Sequence, residues 1–317
     1  MKQEMESMKI SFIGCGKVGS TVAFTAGLRG LAQEMVLVDF NADKAQGEAL
    51  DILQCRAFMP QVTIRSGNME DTAGSDIVVI SAGIPRKADE PRVMLLSRNA
   101  SLITDIVRQT VRYSPNCILF MITNPLDVMT QLAFRVSGLP ASRVIGMGTV
   151  LDTSRYRSYI AAEFGCDARD VDAYVVGEHG ETMVPLRSNI TVRGIPLVQL
   201  AEATAARMDK IVDDVVAASG TVIALKGGTV FAPAVSACEV LEAIIHDTRQ
   251  VLPVCTYQEQ YGVSLSMPTM VGRDGAAKVF SLAVSAAEEE MLQKSVKNIK
   301  EYAEQISGYI DGSAAAK

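Results

Sequence analysis

The chain contains no tryptophan, only two histidines, and no CxxC pair among its six cysteines. The missing tryptophan does not starve the core. Eight Tyr, nine Phe and a 48% hydrophobic content supply enough apolar material for sizeable cores and argue against global disorder. With only His179 and His246 available, a histidine-rich metal cluster is excluded. Cys15, Cys55, Cys117, Cys166, Cys238 and Cys255 lack the tight spacing of a metal or disulfide framework. They read as free, mostly buried thiols, with the reducing cytoplasm as the expected compartment. No apolar stretch approaches the ~20 residues of a membrane span; Ile77–Ile80 is typical. The opening MKQEMESMKI carries two Glu and lacks the apolar core of a secretion signal. Residues 1–7 read as a frayed extension and 312–317 as a disordered tail. There is no basic surplus either: the net charge of −6 argues against a general nucleic-acid partner.

The 317 residues are enough for two domains or one large one. A mean hydropathy of +0.20 is high for a soluble chain and suggests buried subunit interfaces. Short apolar runs at 10–13, 35–38, 62–64, 77–80 and 118–122 alternate with helical patterns at 17–30, 42–58 and 93–112. That alternation predicts a parallel sheet covered on both faces, doubly wound by right-handed crossovers. Past residue 150 the texture changes. A helix is expected at 150–164, a strand at 171–176 and short β segments at 189–200. Helices follow at 201–226 and 234–246, then a turn-rich stretch at 250–275. The terminal helix is expected over 276–307, with acidic residues 288–290 on its exposed side. The boundary is placed at residues 149/150: a doubly wound, Rossmann-type half over 1–149 and an α+β half over 150–317.

Residues 14–19 read Gly14-Cys15-Gly16-Lys17-Val18-Gly19. A lone GxGxxG is weak, but this one leaves an expected strand and opens an expected helix. Asp39 ends the next strand about 20 residues further on. Glycines admit a pyrophosphate close to the backbone, and a helix N-terminus offers it unpaired N–H groups. Asp39 would accept from the adenosine ribose hydroxyls and repel a 2′-phosphate, which favours NAD over NADP. Cys15, near that helix start, reads either as a thiol of lowered pKa or as a small residue that fits.

Four further groups carry chemistry. His179 lies between glycines in Gly177-Glu178-His179-Gly180, after an apolar run. Taken alone it is as well explained as a hydrogen-bonded structural histidine. Asp152 and Arg155 are three apart in Leu151-Asp152-Thr153-Ser154-Arg155 and share a helix face, as a surface ion pair also would. The charged stretch from Gly83 through Arg86 to Arg92 follows a strand, where ligands bind in such sheets. Thr123-Asn124-Pro125 closes the next strand. His246, beside Asp247 with no second ligand near, reads as structural.

Together GCGKVG, AGIPRK, TNPLDVMT, LDTSRYR and GEHGETMVPL resemble the lactate/malate dehydrogenases, most closely the lactate-dehydrogenase-like malate dehydrogenases. The resemblance runs from about residue 9 to about 308. It implies a hydride exchanged between NAD and a 2-hydroxy acid, with His179 as acid/base and Asp152 fixing and stabilising its cation. Arg155 would grip the substrate carboxylate as a two-pronged fork, and Arg92 would polarise the carbonyl from a closing loop. Asn124 would touch substrate and cofactor. Asn99, Ile122 and Thr123 match cofactor contacts, and Thr229 a substrate-pocket hydroxyl. No metal is implied.

Arg86 points to the substrate. An arginine at this family position goes with a second carboxylate, a glutamine with pyruvate. A desolvated carboxylate without a partner costs several kcal/mol, and a buried unpaired arginine would reject the smaller acid. Malate and oxaloacetate are therefore expected, with lactate and pyruvate as the alternative. Two features depart from the family. Ala88-Asp89-Glu90-Pro91 replaces the usual Pro-Gly, and Val93-Met94 replaces an acidic residue, so slower or differently gated closure is expected. Glu178 resembles the lactate enzymes, whereas Thr182-Met183-Val184-Pro185 resembles the malate enzymes. Two other classes fit less well. A metal-dependent, NAD-using glycosidase needs a longer chain richer in histidine. A non-catalytic NAD sensor need not keep His179, Asp152 and three arginines.

Overall fold

The computed structural model describes residues 8–84, 92–200 and 203–310, without the side chains of residues 92 and 93. Six short strands form a parallel sheet: β1 (Lys9–Ile13), β2 (Glu34–Val38), β3 (Thr63–Ser66), β4 (Ile77–Ile80), β5 (Ile118–Met121) and β6 (Val144–Gly146). Their spatial order is β3-β2-β1-β4-β5-β6, the doubly wound arrangement whose order reverses between β1 and β4. β4 and β5 are buried along their whole length, as strands covered on both faces must be. The crossovers are helical: α1 (Lys17–Arg29), α2 (Ala42–Gln54), α3 (Arg92–Tyr113) and α4 (Leu126–Ser137).

The second half begins with α5 (Val150–Phe164). The expected strand 171–176 is broken into β7 (Val171–Asp172) and β8 (Val175–Val176), and β9 (Val184–Pro185) pairs back onto β8. β10 (Thr191–Val192) and β11 (Ile195–Pro196) follow, then the helices α6 (Ala205–Lys226) and α7 (Phe231–Ile245). His246 is exposed at the C-terminal end of α7.

Two expectations need correction here. The stretch at 250–275 is a long antiparallel pair, β12 (Gln250–Gln258) and β13 (Val263–Gly272), continued by β14 (Gly275–Val279). Pro253 stands opposite Pro268, so neither proline asks the other for the N–H it lacks. β12 lies against β6, with Cys255 opposite Gly146, and the parallel sheet becomes a mixed sheet of nine strands. The sheet therefore runs past the expected boundary at 149/150. The terminal helix α8 (Ala286–Gln305) starts ten residues later than expected, at a capping box of Ser285 and Glu288. Glu288 is buried, not exposed with Glu289 and Glu290.

One core, with Val22, Ala26, Ile52, Ala237 and Leu241, lies under α1, α2 and α7. A second, with Ile103, Leu132, Leu292 and Val296, lies under α3, α4 and α8. A third joins α5 and α6 to β7 and β8 through Tyr156, Ile160, Ile211 and Val175. α7 packs on α1, where Arg29 holds Glu239 and Glu242 at 2.7 and 3.1 Å. That contact brings the start of α7 to the glycine loop. Among the described residues no helix is long and apolar enough to cross a membrane. Residues 1–7 and 312–317 lie outside the described residues.

Candidate active site

The glycine loop joins β1 to α1 at the point where the strand order reverses. Gly14 has φ +101° and donates its N–H to Val38 O, while the Ser81 hydroxyl donates to its carbonyl. A Cβ on Gly19 would sit 2.0 Å from Gly14 O, so the helix start can approach the loop only without a side chain. Gly16 is different, because a Cβ there would meet nothing within 4 Å. The protein itself does not require this glycine, but a ligand lying against the loop would. Gly16 caps α1 without a side-chain hydrogen bond, and no acidic residue stands in the first turn. The first-turn N–H groups and their partial positive charge are therefore free for an anion.

Asp39 follows β2 directly. Its Oδ2 accepts from Cys15 N at 2.7 Å and its Oδ1 from Asn41 N at 2.9 Å, which fixes the carboxylate at the rim of the loop. Cys15 is turned inward, its thiol toward Val38 O. Burial, followed by the charges of Asp39 and Glu48, pushes that thiol up to about 12, so the lowered pKa does not occur. Lys17 is exposed and Val18 half-buried.

A cleft of about 350 Å³ opens beside the loop. Val18, Gly83, Ile84, Asn99, Ile122, Thr123, Asn124, Leu151, His179 and Thr229 line it. The structure thus gathers residues from β4, β5, α3, α5, the β8–β9 loop and the α6–α7 turn. Asn99 is buried and spends its Oδ1 on Ile84 N at 2.8 Å, steadying the segment after β4. Thr123 donates to Ala82 O at 2.7 Å. Asn124 is exposed at the cleft, before a cis peptide bond to Pro125. Arg86 and the side chain of Arg92 lie outside the described residues, as does the Ala88–Pro91 stretch.

His179 Nδ1 lies 2.6 Å from Asp152 Oδ2, and the other oxygen of Asp152 accepts from Arg155 Nη1 at 3.0 Å. Asp152 is fully buried, so this is no surface ion pair. Burial alone would lower the pKa of His179, but the Asp152 charge and hydrogen bond outweigh it and raise it. Burial would likewise raise Asp152, and the His179 and Arg155 cations overcome that and lower it. Nδ1 is engaged, which leaves Nε2 for a group in the cleft. Nη2 of Arg155 is buried with no hydrogen-bond partner among the described residues. An unpaired buried guanidinium nitrogen is costly, and an anionic ligand would satisfy it.

Sequence reasoning missed several residues. Ser81, Met147, Ser219 and Pro233 also line the cleft, and nothing in their local pattern marks them. Glu178 is held by Asn298 Nδ2 at 2.9 Å and by Thr182, and its N–H donates to Ser295 Oγ, so α8 anchors the histidine loop. Asp127 accepts the His179 N–H at 2.8 Å.

A doubly wound sheet with an open glycine loop at its switch point, and a buried His–Asp–Arg group beside it, defines a dinucleotide-dependent oxidoreductase. Residues 8–146 match the lactate/malate dehydrogenase NAD binding domain, and residues 149–308 the alpha/beta C-terminal domain of the same family. L-lactate dehydrogenase 1 of Clostridium acetobutylicum is 39% identical over 310 residues, covering 95% of this chain and 99% of its own. A malate dehydrogenase of Cytophaga hutchinsonii is 38% identical over 309 residues, covering 95% and 98%. The ligand-bound crystal structure of minor L-lactate dehydrogenase from Enterococcus mundtii superposes with a TM-score of 0.92, at 32% identity and 95% and 98% coverage. The chain belongs to the lactate/malate dehydrogenase family, and its cofactor is NAD. The open loop, the uncapped α1 and the fixed Asp39 carboxylate fit that cofactor.

Proposed function

We propose that the chain oxidises and re-forms a small 2-hydroxy acid, with His179 as acid/base. The observation that carries the reading is the Asp152–His179 pair, whose imidazole lines the cleft, beside Arg155 Nη2, which has no hydrogen-bond partner among the described residues. Gly14, Gly16 and Gly19 would admit the cofactor pyrophosphate, with Lys17 and Val18 opening the helix behind it. Asp39 would hold its ribose, and Asn99, Ile122 and Thr123 the nicotinamide end. When bound, NAD supplies the hydride acceptor.

Arg155 would take the substrate carboxylate and turn C2 toward His179. Protonated His179 would donate from Nε2 to the C2 oxygen during reduction and recover that proton during oxidation, with Asp152 balancing the cation. Asn124 and Thr229 would orient the substrate, and Arg92 would stabilise charge on the carbonyl oxygen. Residues 150–317 would form the substrate half, and the assembly would be a homodimer or homotetramer.

Two substrate readings stand. Arg86 favours malate and oxaloacetate, since its fork matches a second carboxylate. Lactate and pyruvate are favoured by the names of the relatives, which support this pair better, and by Glu178. The test is the ratio of kcat/KM for oxaloacetate to that for pyruvate, in the wild type and in Arg86→Gln. A ratio well above one that falls in the variant supports malate. A ratio below one in the wild type assigns lactate.

A further inference from the structure

His179 touches two buried carboxyls, and the reading above uses only one. The second belongs to Asp127 in the first turn of α4, whose Oδ2 takes the His179 N–H. Asp127 is 3% exposed, and its Oδ1 is buried with no hydrogen-bond partner among the described residues. The groups that face it come from two elements. The β8–β9 loop brings His179 and Glu178, the first attractive when protonated and the second repulsive. β12 brings the Cys255 thiol, a weak donor. Behind that thiol, the Thr130 hydroxyl is spent on Leu126 O. No lysine or arginine hydrogen-bonds it among the described residues, in contrast to Asp152 with Arg155.

An ion buried on one backbone hydrogen bond and a weak thiol donor is expensive unless a cation stands beside it. We propose that Asp127 is a positioning residue for His179: it holds the histidine main chain, and its charge state follows that of the imidazole. When His179 carries its proton, Asp127 is ionised; when His179 has passed its proton to the substrate oxygen, the attraction is lost and Asp127 takes up one proton from solvent, on Oδ1. Asp152 stays ionised throughout, paired with Arg155. Burial pushes the Asp127 carboxyl up to about 7, against the opposing pull of the His179 N–H and cation, so the exchange falls near neutrality. The two groups then titrate as a coupled pair, and by reciprocity each raises the stability of the other's ion.

The inference rests on His179 as acid/base, and His179→Asn tests that separately: substantial residual turnover there would remove the reading itself. Asp127→Asn keeps an oxygen for the His179 N–H and loses the charge, whereas Asp127→Ala loses both. The readout is the pH profile of kcat/KM for 2-oxo acid reduction. For Asp127→Asn the expected result is a low-pH plateau within about threefold of wild type, with the high-pH fall displaced downward by roughly one unit. For Asp127→Ala a loss of about tenfold or more at every pH is expected, since the histidine loop loses its anchor. A wild-type profile in both variants would overturn the inference. If neither variant folds, infrared titration of wild type and His179→Asn decides. A protonated carboxyl band near neutrality that persists to higher pH in His179→Asn supports the coupling. The absence of such a band, or an unchanged midpoint, refutes it.

Discussion

Replacing Asp152 by Asn tests the acid/base unit with the least change of shape. Asp152 is fully buried and makes two charge-assisted hydrogen bonds, 2.6 Å to His179 Nδ1 and 3.0 Å to Arg155 Nη1. Each such bond contributes about 1.5–3 kcal/mol, so losing the charge on both removes about 3–6 kcal/mol. At 1.36 kcal/mol per factor of ten, that is a fall of about 10²–10⁴ in kcat/KM for reduction. The pH dependence adds a sign. Asp152 raises the His179 pKa, so protonated His179 survives to higher pH in the wild type. Reduction needs that form, and its rate falls as pH rises through the raised value. In Asp152→Asn the fall moves to lower pH. Steady-state NADH consumption across a pH series measures both effects. Activity within about threefold of wild type, with an unmoved profile, would refute the reasoning, because a buried charge this close must be felt.

Arg155→Lys keeps the charge but loses the fork, and is expected to raise KM for the 2-oxo acid by about 10²-fold or more with a smaller effect on NADH binding. Gly16→Ala and Gly19→Ala should separate ligand from fold. The first leaves thermal stability near wild type but weakens NADH binding in a fluorescence titration, because its Cβ meets only the open loop. The second lowers Tm, because its Cβ would press on Gly14 O. Glu288 accepts from Ser285 and from the Arg187 and Ser188 backbone. Burial would raise its carboxyl, yet these bonds hold it at about 2, below its ordinary 4.5. Its contribution, about 3 kcal/mol, is present above pH 4.5 and lost as pH falls toward 2. Denaturant unfolding of Glu288→Ala should show that deficit at pH 7 and a much smaller one near pH 3.

The parallel half was legible because its strands are uninterrupted apolar runs and its helices keep their period. The glycine loop, Asp39 and the Asp152–Arg155 spacing were legible for the same local reason. β12 and β13 were not. Gly262 does form the turn between them, but Pro268 lies inside β13, where pairing with β12, itself against β6, overrides the local signal. The late start of α8 is written in Ser285 and Glu288, three apart, the spacing of a capping box. Asp127 was invisible in kind. A carboxylate in a first helical turn normally faces water, and only the fold shows that this one is sealed beneath His179.

The most direct test follows NADH absorbance with oxaloacetate and with pyruvate, in the wild type and in His179→Asn, with NADPH in parallel. The account predicts rapid NADH loss with at least one of the two acids, little with NADPH, and a fall of several orders of magnitude in His179→Asn. No turnover of either acid in the wild type, or undiminished turnover in the variant, would contradict it.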